Sequence, residues 1–175
     1  MDKQLYLRYY DDVYRFILYT THDEELTRDL LQDTFYKFFN SNRQSINNEK
    51  AYLLKIARNL ITDHYRKKRL IQMITLKEDK RIDEAPLPDS IVLKEELSVQ
   101  LYKALLELQM KYREVIVLRY IEGYSVKETA HILNCNETRV KNDSARGLKT
   151  LRIYLEGGEL DDRTAAKTAT KRYGE

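Results

Sequence analysis

Tryptophan is absent from this 175-residue sequence; cysteine occurs once, proline twice and glycine five times. The single thiol, Cys135, cannot close a disulfide within the chain or build a multi-cysteine metal site. So few helix breakers in so long a chain predict a mostly helical protein. No apolar run is long enough to cross a bilayer, and the N-terminal MDKQLYLRYYDD lacks the apolar core of a signal peptide, so the chain is expected to be soluble and intracellular. The three histidines, His22, His64 and His131, are scattered. None stands in a His/Glu metal spacing or pairs with Cys135, and there is no glycine-rich nucleotide loop, so neither an enzyme nor a cofactor is expected.

Apolar residues are 42% of the chain, enough for packed cores, and charged residues 34%, yet the formal net charge is only +3. Any nucleic-acid surface must therefore be local. LYLRYYDDVYRFILYT places Leu5, Tyr9, Val13, Phe16 and Ile17 on one helical face. Thr21-His-Asp-Glu24 reads as a capping box opening a second helix, with Leu26, Leu30, Phe35 and Phe38 inward. Polar SNRQSINNE, 41–49, reads as a loop. The third helix, AYLLKIARNLITDHYRKKR (51–69), is expected to end near Lys68. From 70 to 90 the pattern fails: both prolines and an acidic excess mark a linker, with room for a short helical start. Helical spacing returns in IVLKEELSVQLYKALLEL and YREVIVLRYIEG, where Gly123 fits a C′ position. The expected architecture is all-α: two small helical domains, 1–69 and 91–156, joined by an acidic linker (70–90), the second domain a helix-turn-helix. The tail, 157–175, has little apolar content and is expected to be disordered.

SVKETAHILNCNETRVKNDSARGLKTLR carries the helix-turn-helix spacing. Ser125 and Glu128 form a capping box, Ala130 is the small residue where the helices meet, and Asn134 suits a left-handed turn position. Cys135 reads as a small buried hydrophobe, and Asn136 as the cap of the next helix. Val140, Ser144, Leu148 and Leu151 are expected inward. Arg139, Asn142, Ala145, Arg146 and Lys149 lie opposite, with Lys141 flanking. Cations for phosphates beside Asn and Arg for base edges describe a recognition helix. A plain solvated helix has the same spacing.

Projected as a helix, 51–69 gathers Leu53, Leu54, Ala57, Leu60, Ile61 and His64 on one side. Lys55, Asn59, Thr62, Arg66 and Arg69 form a strip on the other, with Arg58 at its edge and Tyr52 and Tyr65 bordering it. The strip suits a nucleic-acid backbone, and the preceding loop could hold an unstacked base. Cations at a helix end also complement its dipole, which accounts for Arg66 to Arg69 but not for Lys55 and Arg58. His64 reads as a packed histidine. The second helix is acidic (Asp23, Glu24, Glu25, Asp29 and Asp33 against Arg28): either a solvated face or a docking surface for a basic partner.

DLLQDTF (29–35), AYLLKIARNLITDHYRKKR (51–69) and LELQMKYREVIVLRYIEGYSVKETAHILNCNETRVK (106–141) together resemble the extracytoplasmic-function (ECF) group of sigma-70 family sigma factors. The resemblance spans about residues 5–155. It implies a bacterial RNA polymerase initiation subunit whose first domain docks on the β′ clamp helices and opens the −10 element, and whose second reads the −35 element and meets the β flap. It places Asp29, Leu30, Gln32, Asp33 and Phe35 at the β′ contact. Arg58, Asn59, Asp63, Arg66 and Lys67, with loop 41–49 as the pocket for a flipped base, fall at the −10 element. Arg139, Lys141, Asn142, Ala145 and Arg146 fall on the −35 reader. It also implies an anti-sigma factor as partner, a cytoplasmic location, and a means of holding the chain at the membrane through that partner. The chain departs from the family pattern at Tyr52 (usually Trp), Gln109 (Pro), Thr129 (Ile), Asp143 (Arg) and Ser144 (a large apolar residue); the missing Pro weakens the expected helix break at 109. The alternative reading is a helix-turn-helix transcriptional regulator acting without core polymerase, which leaves DLLQDTF and the 51–69 strip unused.

Overall fold

The computed structural model describes residues 3–42, 46–75 and 96–156. The expected tail, residues 76–90 of the expected linker and residues 43–45 of the expected loop lie outside the described residues. The chain divides into two compact units, 1–85 and 86–175, and the described residues are helical without a strand.

The first unit holds α1 (Lys3–Thr21), α2 (Glu24–Phe39) and α3 (Glu49–Thr75), each packed on the other two. Its core is Val13, Phe16 and Ile17 of α1, Leu30, Leu31, Phe35 and Phe38 of α2, and Leu53, Leu54, Ala57 and Ile61 of α3. These positions recur every three or four residues, which makes one apolar stripe per helix. Truncating a fully buried aromatic such as Phe38 to alanine costs about 3–5 kcal/mol.

The turn from α1 to α2 is not the capping box expected at Thr21. Thr21 is the last residue of α1, and its hydroxyl donates to the Ile17 carbonyl at 2.9 Å. His22 is buried in the left-handed region, with φ of 54°, where histidine is tolerated better than most residues. Asp23 is the true cap, its carboxylate accepting from the Leu26 N–H at 2.9 Å. The cap lies two residues beyond the one expected, so a pattern of residue types can match while the chain turns inside it.

α3 runs on to Thr75 rather than ending near Lys68, so residues 70–75 continue it as the helical start of the expected linker segment. Leu70, Ile71 and Met73 are exposed, so this last stretch has no apolar stripe for periodicity to detect. At its start Asn48 caps the helix, its side chain accepting from the Ala51 N–H at 3.0 Å.

The second unit holds α4 (Glu96–Leu106), α5 (Met110–Ile116) continuing into a π-helical turn (Val117–Ile121), α6 (Val126–Leu133) and α7 (Glu137–Leu155). α7 packs on α4, α5 and α6 over Leu105, Leu108, Val115, Val117, Leu118, Ile132 and Val140. The break before α5 forms without proline: Gln109 adopts φ −59° and ψ 145°. Arg113 supports it from the next turn, donating to the carbonyls of Leu105, Leu106 and Leu108, where a helix end leaves carbonyls short of donors; the Leu105 carbonyl also accepts the Leu108 N–H at 3.1 Å. At the far end Gly123 has φ of +78°, and the Tyr124 N–H returns to the Leu118 carbonyl at 2.9 Å.

Candidate functional site

The α6–turn–α7 geometry follows from its local chemistry. Ser125 and Glu128 cap α6 reciprocally: the Ser125 hydroxyl accepts from the Glu128 N–H at 3.2 Å, and the Glu128 carboxylate from the Ser125 N–H at 2.8 Å. These bonds hold the Glu128 carboxyl below its ordinary range. Asn134 is left-handed, φ 52° and ψ 51°. Asn136 caps α7 through the Arg139 N–H at 2.7 Å. Cys135 is only half-buried, less than a core position would be.

Arg139, Lys141, Asn142, Ala145 and Arg146 are all exposed on α7. The inner face differs from the expected set. Val140, Ser144 and Leu151 are buried, but Leu148 is 41% exposed, and Asp143 and Gly147 take the inner face with them. Gly147 explains the change. A Cβ there would stand 2.8 Å from Ile116 Cγ1 and 3.1 Å from Cδ1, so α7 approaches α5 through a position an apolar pattern never counts. Asp143 is not presented to a ligand. Its side chain is 8% exposed and pairs with Arg139, Nε to Oδ2 at 3.3 Å. The Tyr112 hydroxyl is the first cause that raises the Arg146 pKa, with Asp143 adding a smaller electrostatic push.

On α3, Asn59, Arg66 and Lys67 are exposed, and Arg58 and Asp63 half-buried. Asp63 and Arg66 pair at 3.1 Å. Thr62, placed on the strip from sequence, turns its hydroxyl back to the Arg58 carbonyl at 2.9 Å. His64 is half-buried, edge-on to Tyr65 with ring centroids 5.4 Å apart. Burial lowers its pKa, as do Lys68 and Lys67, against an opposing pull from Asp23. Tyr52 is half-buried, its ring 6.1 Å from that of Phe38. The start of α3 is tied to α1: Lys50 to Asp12 at 3.1 Å, and the Tyr9 hydroxyl to Glu49 at 3.3 Å. The loop before α3 thus ends on a braced helix.

The DLLQDTF stretch divides by face. Asp29, Gln32 and Asp33 are exposed, whereas Leu30 and Phe35 belong to the core. Leu30 and Phe35, inward by periodicity but drawn into the β′ contact by the resemblance, stand on the opposite side of the same turns, so that contact is corrected to the exposed members. Tyr36, which sequence reasoning passed over, is 70% exposed and lies one turn beyond Gln32 and Asp33, on their side. Beside it is an open groove of about 770 Å³ between α1 and α2, lined by Tyr6, Tyr10, Asp33, Tyr36 and Phe39 among others. Its signal in the sequence was the excess of tyrosine in α1, which apolar periodicity treats as core.

Acidic and aromatic residues thus share one face of the first unit, an amide- and cation-bearing helix another, and α7 of the second unit displays arginines beside an asparagine. Sigma-70 region 2 matches residues 5–71, and Sigma-70, region 4 matches residues 98–151. The chain is 38% identical over 160 residues to the ECF RNA polymerase sigma factor SigX of Bacillus subtilis (strain 168), covering 87% of this chain and 82% of that protein. It is 30% identical over 166 residues to the ECF RNA polymerase sigma factor SigM of the same organism, covering 91% and 98% respectively. Among solved structures, the sigma factor RpoE in complex with the anti-sigma factor NepR from Bartonella quintana superposes with a TM-score of 0.71 at 26% identity, covering 88% of this chain and 96% of that one.

Proposed function

We propose, for a chain that belongs to the ECF group of sigma-70 family RNA polymerase sigma factors, that it binds core RNA polymerase, directs it to promoters through −35 and −10 elements, and promotes strand opening there. The observation that carries this reading is that two matched regions, 2 and 4, occur in order in one chain. A stand-alone DNA-binding regulator would use only the second. The division into a region 2 domain (1–69), a linker and a region 4 domain (91–156) belongs to the same reading.

Each site is assigned on chemistry. Exposed Asp29, Gln32 and Asp33 with Tyr36 offer acceptors and an aromatic ring to the basic, helical surface of a polymerase clamp. Arg58, Asn59, Asp63, Arg66 and Lys67 with the 41–49 loop meet the −10 element. Cations there offset phosphate charge while an unstacked base is held, so melting draws on binding energy and no covalent step. Arg139, Lys141, Asn142, Ala145 and Arg146 meet the −35 element in the major groove. An anti-sigma factor is the expected regulator, and a cytoplasmic location, with tethering at the membrane through that partner, follows from the same reading. No described helix is long and apolar enough to cross a membrane.

Co-purification with core polymerase tests the proposal. Stoichiometric association, with little duplex binding by the free chain, is the expected result. Tight duplex binding without any core association would support the regulator instead.

A further inference from the structure

Asp143 is the unusual group on α7. A carboxylate next to phosphates repels them, and a buried one needs a partner. Its side chain is only 8% exposed, and its neighbour Arg139, one turn earlier, is 52% exposed. The pair therefore has an inner, fixed member and an outer, available one. Arg139 donates through Nε at 3.3 Å, which leaves the two terminal nitrogens of the guanidinium in a fork pointing away from the carboxylate. That fork is the geometry required for two parallel bonds to a guanine edge. Arg146 stands two turns further along on the same side, where Tyr112 of α5 and, more weakly, Asp143 favour its charged form. The ion pair that Asp143 makes is with Arg139.

Resting on the promoter reading above, we propose that Asp143 is a positioning residue that sets base specificity through Arg139: it holds the guanidinium so that the free fork addresses one guanine, and touches no DNA itself. A bare Arg139 would sample several rotamers and serve any phosphate or base in reach. Held by Asp143 it discriminates. Without the carboxylate, affinity for DNA in general rises, because a negative charge is gone, while preference at one base pair falls.

The test uses holoenzyme reconstituted from core polymerase and the full chain, selecting from a randomised duplex library. Base preferences are compared for the parent, Arg139→Ala, Asp143→Ala and Asp143→Asn. Arg139→Ala, at an exposed position, and Asp143→Ala are each expected to lose on the order of tenfold in preference at the same single base pair, and the double variant no more than either alone. Asp143→Asn retains an acceptor for Nε and is expected to recover much of the preference, although its charge is lost as in Asp143→Ala. Thermal unfolding of each variant identifies any that fails to fold; Arg139→Ala with Asp143→Asn then decides. Unchanged preferences, equal effects of Ala and Asn, or loss at a base pair other than the one Arg139→Ala affects would overturn the proposal. A parent holoenzyme that enriches no sequence would overturn the promoter reading itself, and this assignment with it.

Discussion

Replacing Arg113 is expected to loosen the second unit. Nε donates to the Leu105 carbonyl at 2.8 Å, and one terminal nitrogen to those of Leu106 at 3.2 Å and Leu108 at 2.8 Å. All three carbonyls lie where α4 stops. A hydrogen bond from an ionised donor is worth about 1.5–3 kcal/mol, and three sharing one head group do not add in full. Arg113→Ala should therefore cost about 3 kcal/mol. Lysine supplies one compact ammonium on a longer tether and cannot span the three acceptors, so Arg113→Lys should recover only about 1 kcal/mol of it. Hydrogen exchange of the full chain across a urea series reads each unit by its own peptides. The second unit's transition should shift to lower urea by about 2–3 M, with a slope near 1 kcal/mol/M for so small a unit, while the first unit's stays in place. A loss below about 0.5 kcal/mol, or full rescue by lysine, would show that the helix break does not depend on this side chain.

Other outcomes follow from the same geometry. Thr129 is fully buried and its hydroxyl has no partner among the described residues, so Thr129→Val should stabilise by about 1 kcal/mol, read as a rise in Tm. Gly147→Ala gains helix propensity worth about 1 kcal/mol but drives a methyl into Ile116. The clash costs about 1–3 kcal/mol, and net destabilisation in urea titration is expected. Glu128, held below its ordinary range by Ser125, contributes stability at neutral pH that is lost as pH falls through its lowered pKa. Glu128→Gln should flatten that acid limb of a stability–pH profile, and an unchanged limb would count against the cap's contribution.

What could be read from sequence was what depends on near neighbours. The Ser125–Glu128 box, left-handed Asn134 and capping Asn136 each need only three or four residues to define them, and each is found where expected. The exposed face of α7 was legible for the same reason. Its inner face was not, because helix contact at Gly147 is made by the lack of a side chain, and Leu148 is displaced outward by that choice. Asp143 was legible only as a departure from the family pattern; it is buried as α7 packs, and its carboxylate pairs with Arg139. On α2 periodicity placed Leu30 and Phe35 inward, where they are found, while the resemblance drew them into one contact with exposed Asp29, Gln32 and Asp33; exposed Tyr36 was passed over. The length of α3 was hidden because Leu70, Ile71 and Met73 face outward. The helix break at Gln109 rests on Arg113, a partner visible only once the chain has turned.

The most direct test of the central claim is promoter-dependent run-off transcription by core polymerase with the chain added, comparing the parent with Asp33→Arg and Arg146→Ala. The account predicts discrete start sites absent with core alone. It further predicts that Asp33→Arg removes them by weakening core association, and that Arg146→Ala retains core association but lowers initiation by on the order of tenfold. Start sites no different from those of core alone, or an Asp33→Arg chain that binds core as tightly as the parent, would contradict it.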